Sequence, residues 1–313
     1  MTAQQKTSGR RTQRVPGPLT IAQHTVAHEG HPERNEDANL VDARRGLVAV
    51  FDGVGGSEGG DVASRLAARV VKRAWRKVAQ HYQPHDASSL LTLPAACDLE
   101  DVLRTILHEA QEALRSEGER RARAAGEHDR TDIFPETTAV LAVFCRRPDQ
   151  TGYMMGYAHV GDSRAYLLRR DGSLQRLTRD DGYFLLKVND HTISEEDALR
   201  IDQATHEEQL SEMERRIFER RNGITQSLGH PTPKNPYPTV HTALIEVEAG
   251  ERVLLCSDGI HDNLVDSEIA TVLSGHARTT LARRLVQQAQ QRSHEMCLRA
   301  KKDDMSAVVV TCH

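Results

Sequence analysis

Short apolar runs recur along the chain. Leu47–Phe51, 138–144, Tyr153–Val160, 164–169, 240–247, Arg252–Cys256 and 306–311 are too short for helices, rich in β-branched residues and bounded by turn formers, so each is predicted as a strand. Asp171-Gly172, between Tyr166-Leu167-Leu168 and Leu174, is a hairpin signal. Other segments repeat at helical spacing. Across 61–80, Val62, Leu66, Val70, Ala74 and Val78 recur every four residues, with Arg65, Arg69, Lys72 and Lys77 off that stripe. Asp61 suits the positive N-terminal end of such a helix. Residues 99–125 and 281–298 also read as helices; 194–221 does too, but is too polar for a core. The strands come in adjacent groups rather than one per helix. That grouping predicts an α+β fold of antiparallel sheets with packed helices, not a doubly wound parallel sheet.

Two stretches read as irregular surface: 81–98, with Pro84 and Pro94, and 180–230, a long polar insertion between strand groups. Residues 1–18 are polar, basic and poor in apolar side chains, and are expected to form a disordered tail with no secretory leader. Residues 19–313 then form a single domain that carries the insertion at about 180–230.

Composition narrows the function. The 313 residues include 41 Lys+Arg and 45 Asp+Glu, a formal charge of −4 that argues against nucleic acid or an acidic membrane as the main partner. No apolar run approaches the ~20 residues that span a bilayer. Five scattered Cys, with no CxxC pair, exclude a disulfide framework and a thiolate zinc site, and fit a cytoplasmic protein. With aromatics at 4%, the core is left to Ala, Val, Leu and Ile.

The chemistry lies in acids that stand where apolar strands meet turns. Glu36-Asp37 sits in Arg34-Asn35-Glu36-Asp37-Ala38. Asp52 follows one strand and precedes Gly53; Asp258 follows another and precedes Gly259. Asp162 lies between two strands, and Asp303-Asp304 leads into the last. A carboxylate at such a place is costly to bury without a neutralising partner. Several converging would repel one another unless cations lay between them. Oxygen donors without Cys or clustered His select Mg²⁺ or Mn²⁺, and Gly after Asp lets a backbone carbonyl join. Each Asp-Gly alone is also an ordinary turn; the set carries the metal reading. Other motifs fail: Gly53–60 is no dinucleotide fingerprint, there is no GxxxxGK[ST] loop or GxSxG elbow, and His28-Glu29 lacks the closing His because residue 32 is Pro32.

With these residues in place, the sequence resembles the metal-dependent protein Ser/Thr phosphatases of the PPM (type 2C) family, especially its bacterial branch. The likeness runs in order through Arg34-Asn35-Glu36-Asp37-Ala38, Phe51-Asp52-Gly53-Val54-Gly55-Gly56 and Thr137-Thr138-Ala139-Val140. It continues through His159-Val160-Gly161-Asp162-Ser163-Arg164, Ile224-Thr225-Gln226-Ser227-Leu228-Gly229, Leu255-Cys256-Ser257-Asp258-Gly259-Ile260 and Lys302-Asp303-Asp304-Met305-Ser306, covering about 20–312. It implies a sandwich of two antiparallel sheets flanked by helices. It implies hydrolysis of phosphoserine and phosphothreonine in proteins by a water bridging two Mn²⁺ or Mg²⁺ ions, with phosphoproteins and a cognate Ser/Thr kinase as partners. By position, Asp37, Asp52, Asp258 and Asp303 would be metal ligands, with Gly53 adding its carbonyl, Asp52 bridging and Glu36 ordering water. Asp162, with Asp262, would hold a third, weaker ion, and 180–230 would be the family's flap.

The sequence departs from the family in places. Arg34 stands three residues before Asp37, where many relatives carry a phosphate-binding Arg four or five before, so Arg34 and His31 both remain candidates. Val54 replaces a His of the eukaryotic relatives, Asp304 an Asn, and Glu136 a Gly. A catalytically weak pseudophosphatase, acting as a binding module, is the alternative reading.

Overall fold

The apolar runs pair as strands in the computed structural model, which describes residues 18–54, 59–82, 90–94, 97–126, 133–146, 152–230 and 236–313. In chain order the strands are β1 (Leu19–Val26), β2 (Ala38–Asp42), β3 (Leu47–Phe51), β4 (Ala139–Cys145), β5 (Tyr153–Val160), β6 (Arg164–Leu168), β7 (Leu174–Arg176), β8 (His241–Val247), β9 (Arg252–Cys256) and β10 (Met305–Cys312). They form two five-stranded sheets, β2-β3-β4-β5-β8 and β1-β10-β9-β6-β7. Neighbours in both sheets pair antiparallel.

Alternation decides the layers. Val48, Val50, Val140, Ala142, Met155, Leu167, Val253, Leu255, Val308 and Val310 meet between the sheets. Their odd-numbered neighbours in β3 and β4 (Leu47, Ala49, Phe51, Leu141 and Val143) face α1 (Gly60–Ala79) and α2 (Leu99–Ala125). On the other sheet, Tyr166, Leu168, Leu254, Ala307 and Val309 are covered by α6 (Asp258–His261), α7 (Asp266–Leu273) and α8 (Leu281–Ser293). Burial on both faces explains why the central strands read as continuous apolar runs. The layers are helix, sheet, sheet, helix: the α+β sandwich that the resemblance implied.

Several expectations change. Strands β1 and β2 carried no strand signal because both are sheet edges: polar residues such as Gln23, His24, Asn39 and Asp42 interrupt their apolar pattern. Helix α1 buries Ala63, Ala67, Val70, Val71, Ala74 and Trp75, while Val62, Leu66 and Val78 flank that stripe half-buried. Trp75 sets the face: it is fully buried, and its indole donates to the Arg45 carbonyl at 3.0 Å. Helix α2 keeps its expected bounds, started by Asp98 accepting from Asp101 N and stopped by left-handed Gly126. Helix α8 ends at Ser293, short of the expected 298. In 81–98, Leu90, Leu91 and Leu93 are buried rather than superficial, while 83–89 and 95–96 lie outside the described residues. So do residues 1–17, where the tail was expected.

The insertion differs most. Its expected helix over 194–221 is two helices, α4 (Glu195–Asp202) and α5 (Glu212–Phe218), preceded by α3 (Tyr183–Asn189). The break is chemical: Ser211 caps a new helix reciprocally with Glu214, as Ser194 does with Asp197. The segment also has a core of its own, Ile193, Ile201, Ala204, Leu210, Ile217 and Phe218. Buried charge docks it onto the sandwich. Arg164 of β6 donates to Asp180 at 2.6 Å and to Asp202 at 2.9 Å, and Arg299 donates to the carbonyls of Asp202 and His261, both at 2.5 Å.

Candidate metal centre

Strand register brings the acids together. Ala38 pairs with Phe51, so Asp37, just before β2, lies beside Asp52, just after β3. Asp162 occupies the β5–β6 turn, Asp258 opens α6 after β9, and Asp303 precedes β10. The β9–β10 pairing of Cys256 with Ala307 puts the last two side by side. All five therefore face one end of the sandwich.

Hydroxyls and amides hold them. Thr137 Oγ1 and Thr138 N both donate to the Asp52 carbonyl at 2.8 Å, and Thr138 Oγ1 lies 2.7 Å from Ser163 Oγ in the Asp162 turn. Ser257 Oγ donates to Asp37 Oδ2 at 2.8 Å. Asp304 accepts from His28 N at 2.5 Å and Glu36 N at 2.7 Å, tying the first motif to the last. Its second carboxylate oxygen lets it take two amides at once. Gly53 is dictated by contact: a Cβ there would strike the Gly60 carbonyl and Glu36 backbone.

The charges are unfavourable as they stand. Burial, then Asp37, Asp258, Asp303 and Asp162, push the Asp52 carboxyl well above its ordinary range. Asp37 is pushed up to about 8, by burial against hydrogen bonds from Ser257 and Ser306. Burial and Asp258 raise Asp162 well above its usual value. Asp258 rises to about 6, burial outweighing Lys301. Asp37 Oδ1 is buried without a hydrogen-bond donor. Repelling oxygen donors with an unpartnered lone pair fit a hard divalent cation. Among the described residues no three acidic, His or Cys side chains stand arranged to hold a metal ion by themselves. An ion here would take few protein ligands and keep several waters, as Mg²⁺ and Mn²⁺ do.

The remaining candidates sit around this cluster. Arg34, half-exposed, bonds Glu36 Oε1 at 2.6 Å rather than its neighbour Glu33. Burial raises the Glu36 carboxyl against the pull of Arg34. His31 Nδ1 is bonded to the Arg34 carbonyl at 2.8 Å, which raises its imidazole. Asp262 faces Arg221 at 3.4 Å and Lys301 at 2.9 Å; burial opposes its charge, but these cations hold it below the ordinary range. Lys301 went unnoticed in the sequence. Its Nζ lies 2.5 Å from Asp258 Oδ2 and 2.9 Å from both Asp262 Oδ2 and Asp303 Oδ2. Its only sequence signal is its place two residues before Asp303.

The family model described as Protein phosphatase 2C matches residues 26–301. The chain belongs to the protein phosphatase 2C family. It is similar to the serine/threonine protein phosphatase PstP of Mycobacterium tuberculosis, 29% identical over 277 residues, covering 88% of this chain and 41% of that protein. The chain thus spans about two-fifths of the length of that relative. A serine/threonine phosphatase, stp, of Listeria welshimeri is 28% identical over 229 residues, 72% of this chain and 71% of the relative. The crystal structure of a PstP catalytic domain with two manganese ions superposes with a TM-score of 0.60 at 25% identity, covering 94% of this chain and 97% of that one. The sandwich is thus the phosphatase 2C fold.

Proposed function

We propose that this chain hydrolyses phosphoserine and phosphothreonine esters in proteins, and requires Mn²⁺ or Mg²⁺ to do so. The carrying observation is the convergence of Asp37, Asp52, Asp162 and Asp258, buried or nearly so, with part-exposed Asp303 at one end of the sandwich, and an unpartnered oxygen on Asp37. The two manganese ions of the PstP structure support the choice of metal. Asp37, Asp52, Asp258 and Asp303 would hold two ions, with the Gly53 carbonyl assisting. The family resemblance would add a third, weaker ion at Asp162 and Asp262, but Lys301 Nζ lies 2.9 Å from Asp262. Divalent cations bound there supply an acidified water and offset charge on phosphoryl oxygens.

The chain's own groups do the rest. Arg34 presents a guanidinium that forks onto phosphate oxygens. Glu36, raised by burial and oriented by Arg34, accepts a hydrogen bond or proton from water at the cluster's edge. Thr137 and Thr138 fix the Asp52 turn so that its carboxylate does not reorganise. Two buried thiols are poor nucleophiles: burial drives Cys256 far up and Cys312 up to about 12. We read residues 19–313 as a single catalytic domain and 180–230 as its flap. The five free cysteines support a reducing compartment such as the cytoplasm. Among the described residues no helix is long and apolar enough to cross a membrane. A Ser/Thr kinase that supplies the phosphoproteins completes the cycle.

The test is hydrolysis of a phosphothreonine peptide by the chain with added Mn²⁺ and with chelator. Turnover only with metal, lost in Asp52→Asn, is expected. Full turnover in metal-free buffer, or none with Mn²⁺ demonstrably bound, overturns the reading, the latter in favour of a binding module.

A further inference from the structure

Lys301 does more than pair with one neighbour. An ammonium has three hydrogens, and here three carboxylates surround it, from Asp258, Asp262 and Asp303. Its side chain is 17% exposed, so this is not a surface lysine folded down on an acidic patch. The backbone is set in place as well. Asn263, fully buried, accepts from Lys301 N at 3.0 Å through Oδ1 and donates to the Lys301 carbonyl at 2.9 Å through Nδ2. Both ends of the residue are therefore positioned by the fold. Asp262, the most buried of the three acids, meets a second side-chain cation, Arg221, from the end of the insertion. Asp162 lies near enough to feel the ammonium.

We propose that Lys301 is a tethered cation that fills the position between Asp258, Asp262 and Asp303, so that the site takes two divalent ions and not three. The proposal rests on the metal-dependent reading above, and makes Lys301 a positioning residue acting through the carboxylates. Asp258 and Asp303 stay available, because each carboxylate oxygen keeps a further lone pair after accepting from the lysine. Asp262 does not: with Lys301 and Arg221 beside it, a dication would meet two like charges within a few ångströms. Holding the charge on a side chain removes the concentration dependence of a weak third ion. These carboxylates are then compensated at any metal level.

The experiment counts ions. Full-length chain, its Lys301→Gln variant and its Lys301→Arg variant are stripped of metal and titrated with Mn²⁺ by calorimetry. Circular dichroism checks the fold, and elemental analysis follows gel filtration at fixed free Mn²⁺. Wild type should saturate at two ions. Lys301→Gln should take a third, with that site at least about tenfold tighter than any third binding in wild type. Lys301→Arg should return to two. A folding role alone would lower the melting temperature of Lys301→Gln without adding an ion. Equal stoichiometry and affinity in wild type and Lys301→Gln would overturn the proposal. If Lys301→Gln does not fold, the wild-type count decides: saturation at two ions supports it and at three overturns it. Wild type that binds no Mn²⁺ would overturn the metal-dependent reading and this proposal with it.

Discussion

Arg34 has one visible partner, Glu36, at the edge of the acid cluster. If its guanidinium binds substrate phosphate in the ground state, Arg34→Ala should raise KM for a phosphopeptide roughly tenfold while kcat holds within about twofold. Steady-state kinetics on a phosphothreonine peptide checks this, and an equal fall in kcat and kcat/KM, with KM unchanged, would move Arg34 to the transition state. His159 offers a second residue-scale test. Burial, then His241 stacked on it at 4.8 Å, depress its imidazole to about 4, and its Nδ1 has no hydrogen-bond partner. The folded state thus refuses a proton that the unfolded chain takes near 6.5. The stability is complete above that value and is lost as pH falls toward 4. His159→Phe keeps a ring in the stack and removes the titration. Its melting temperature should therefore fall less than wild type's between pH 6.5 and 4. The acids were legible at this scale because each interrupts an apolar strand. Lys301 was not, since a lysine in a basic run signals only solvent until its contacts are seen.

At the scale of elements, the central strands, edge strand β8 and α2 follow directly from period and caps, whereas edge strands β1 and β2 and the insertion do not. An edge has one open side, and the selection for apolar residues relaxes there. The insertion's pattern is masked by charge: its apolar residues are spread over three short helices and the turns between them, and close mostly on one another, with Leu298 beside them. What joins those helices to the sandwich is the buried guanidinium of Arg164 between Asp180 and Asp202. Arg164→Met leaves the buried carboxylates of Asp180 and Asp202 to Arg176 alone among the cations that bridge them, which should cost up to roughly 3 kcal/mol, the low end for removing one partner of a buried pair. Hydrogen exchange should show the loss first in 180–221, and denaturant unfolding should report its size. Protection there equal to wild type would mean that the insertion's own apolar cluster suffices to dock it.

For the whole molecule, the cluster makes metal and stability one question. Without cations the buried acids repel, and any ion that binds only the folded state stabilises it by mass action. At a hundredfold excess over Kd that amounts to about 2.7 kcal/mol per site, or several degrees in Tm for a chain of this size. Wild type should therefore melt higher with Mn²⁺ than with chelator. Asp52→Asn should melt at or above wild type in chelator, having lost a buried charge, yet gain little from Mn²⁺. A variant that gains as much as wild type would remove Asp52 from the ion's reach. Fold class was readable from the grouping of strands. The stacking of the two sheets was not, because either face of a doubly apolar strand serves equally well as the inside.

Strands β1 and β10 pair along their full length, Leu19 against Cys312 at one end and Val26 against Met305 at the other. The acids gather at the Met305 end, while both outer ends of the pair leave the sheet together, roughly 24 Å away at the usual rise per residue. A short peptide linker could therefore splice residue 312 to residue 19, and the chain could be reopened at the Asp171-Gly172 hairpin tip. Such a circular permutant would keep the strand pairings within both sheets and leave the acid-bearing rim untouched. A reporter protein fused after residue 312 would likewise leave from the pole opposite the acid-bearing rim.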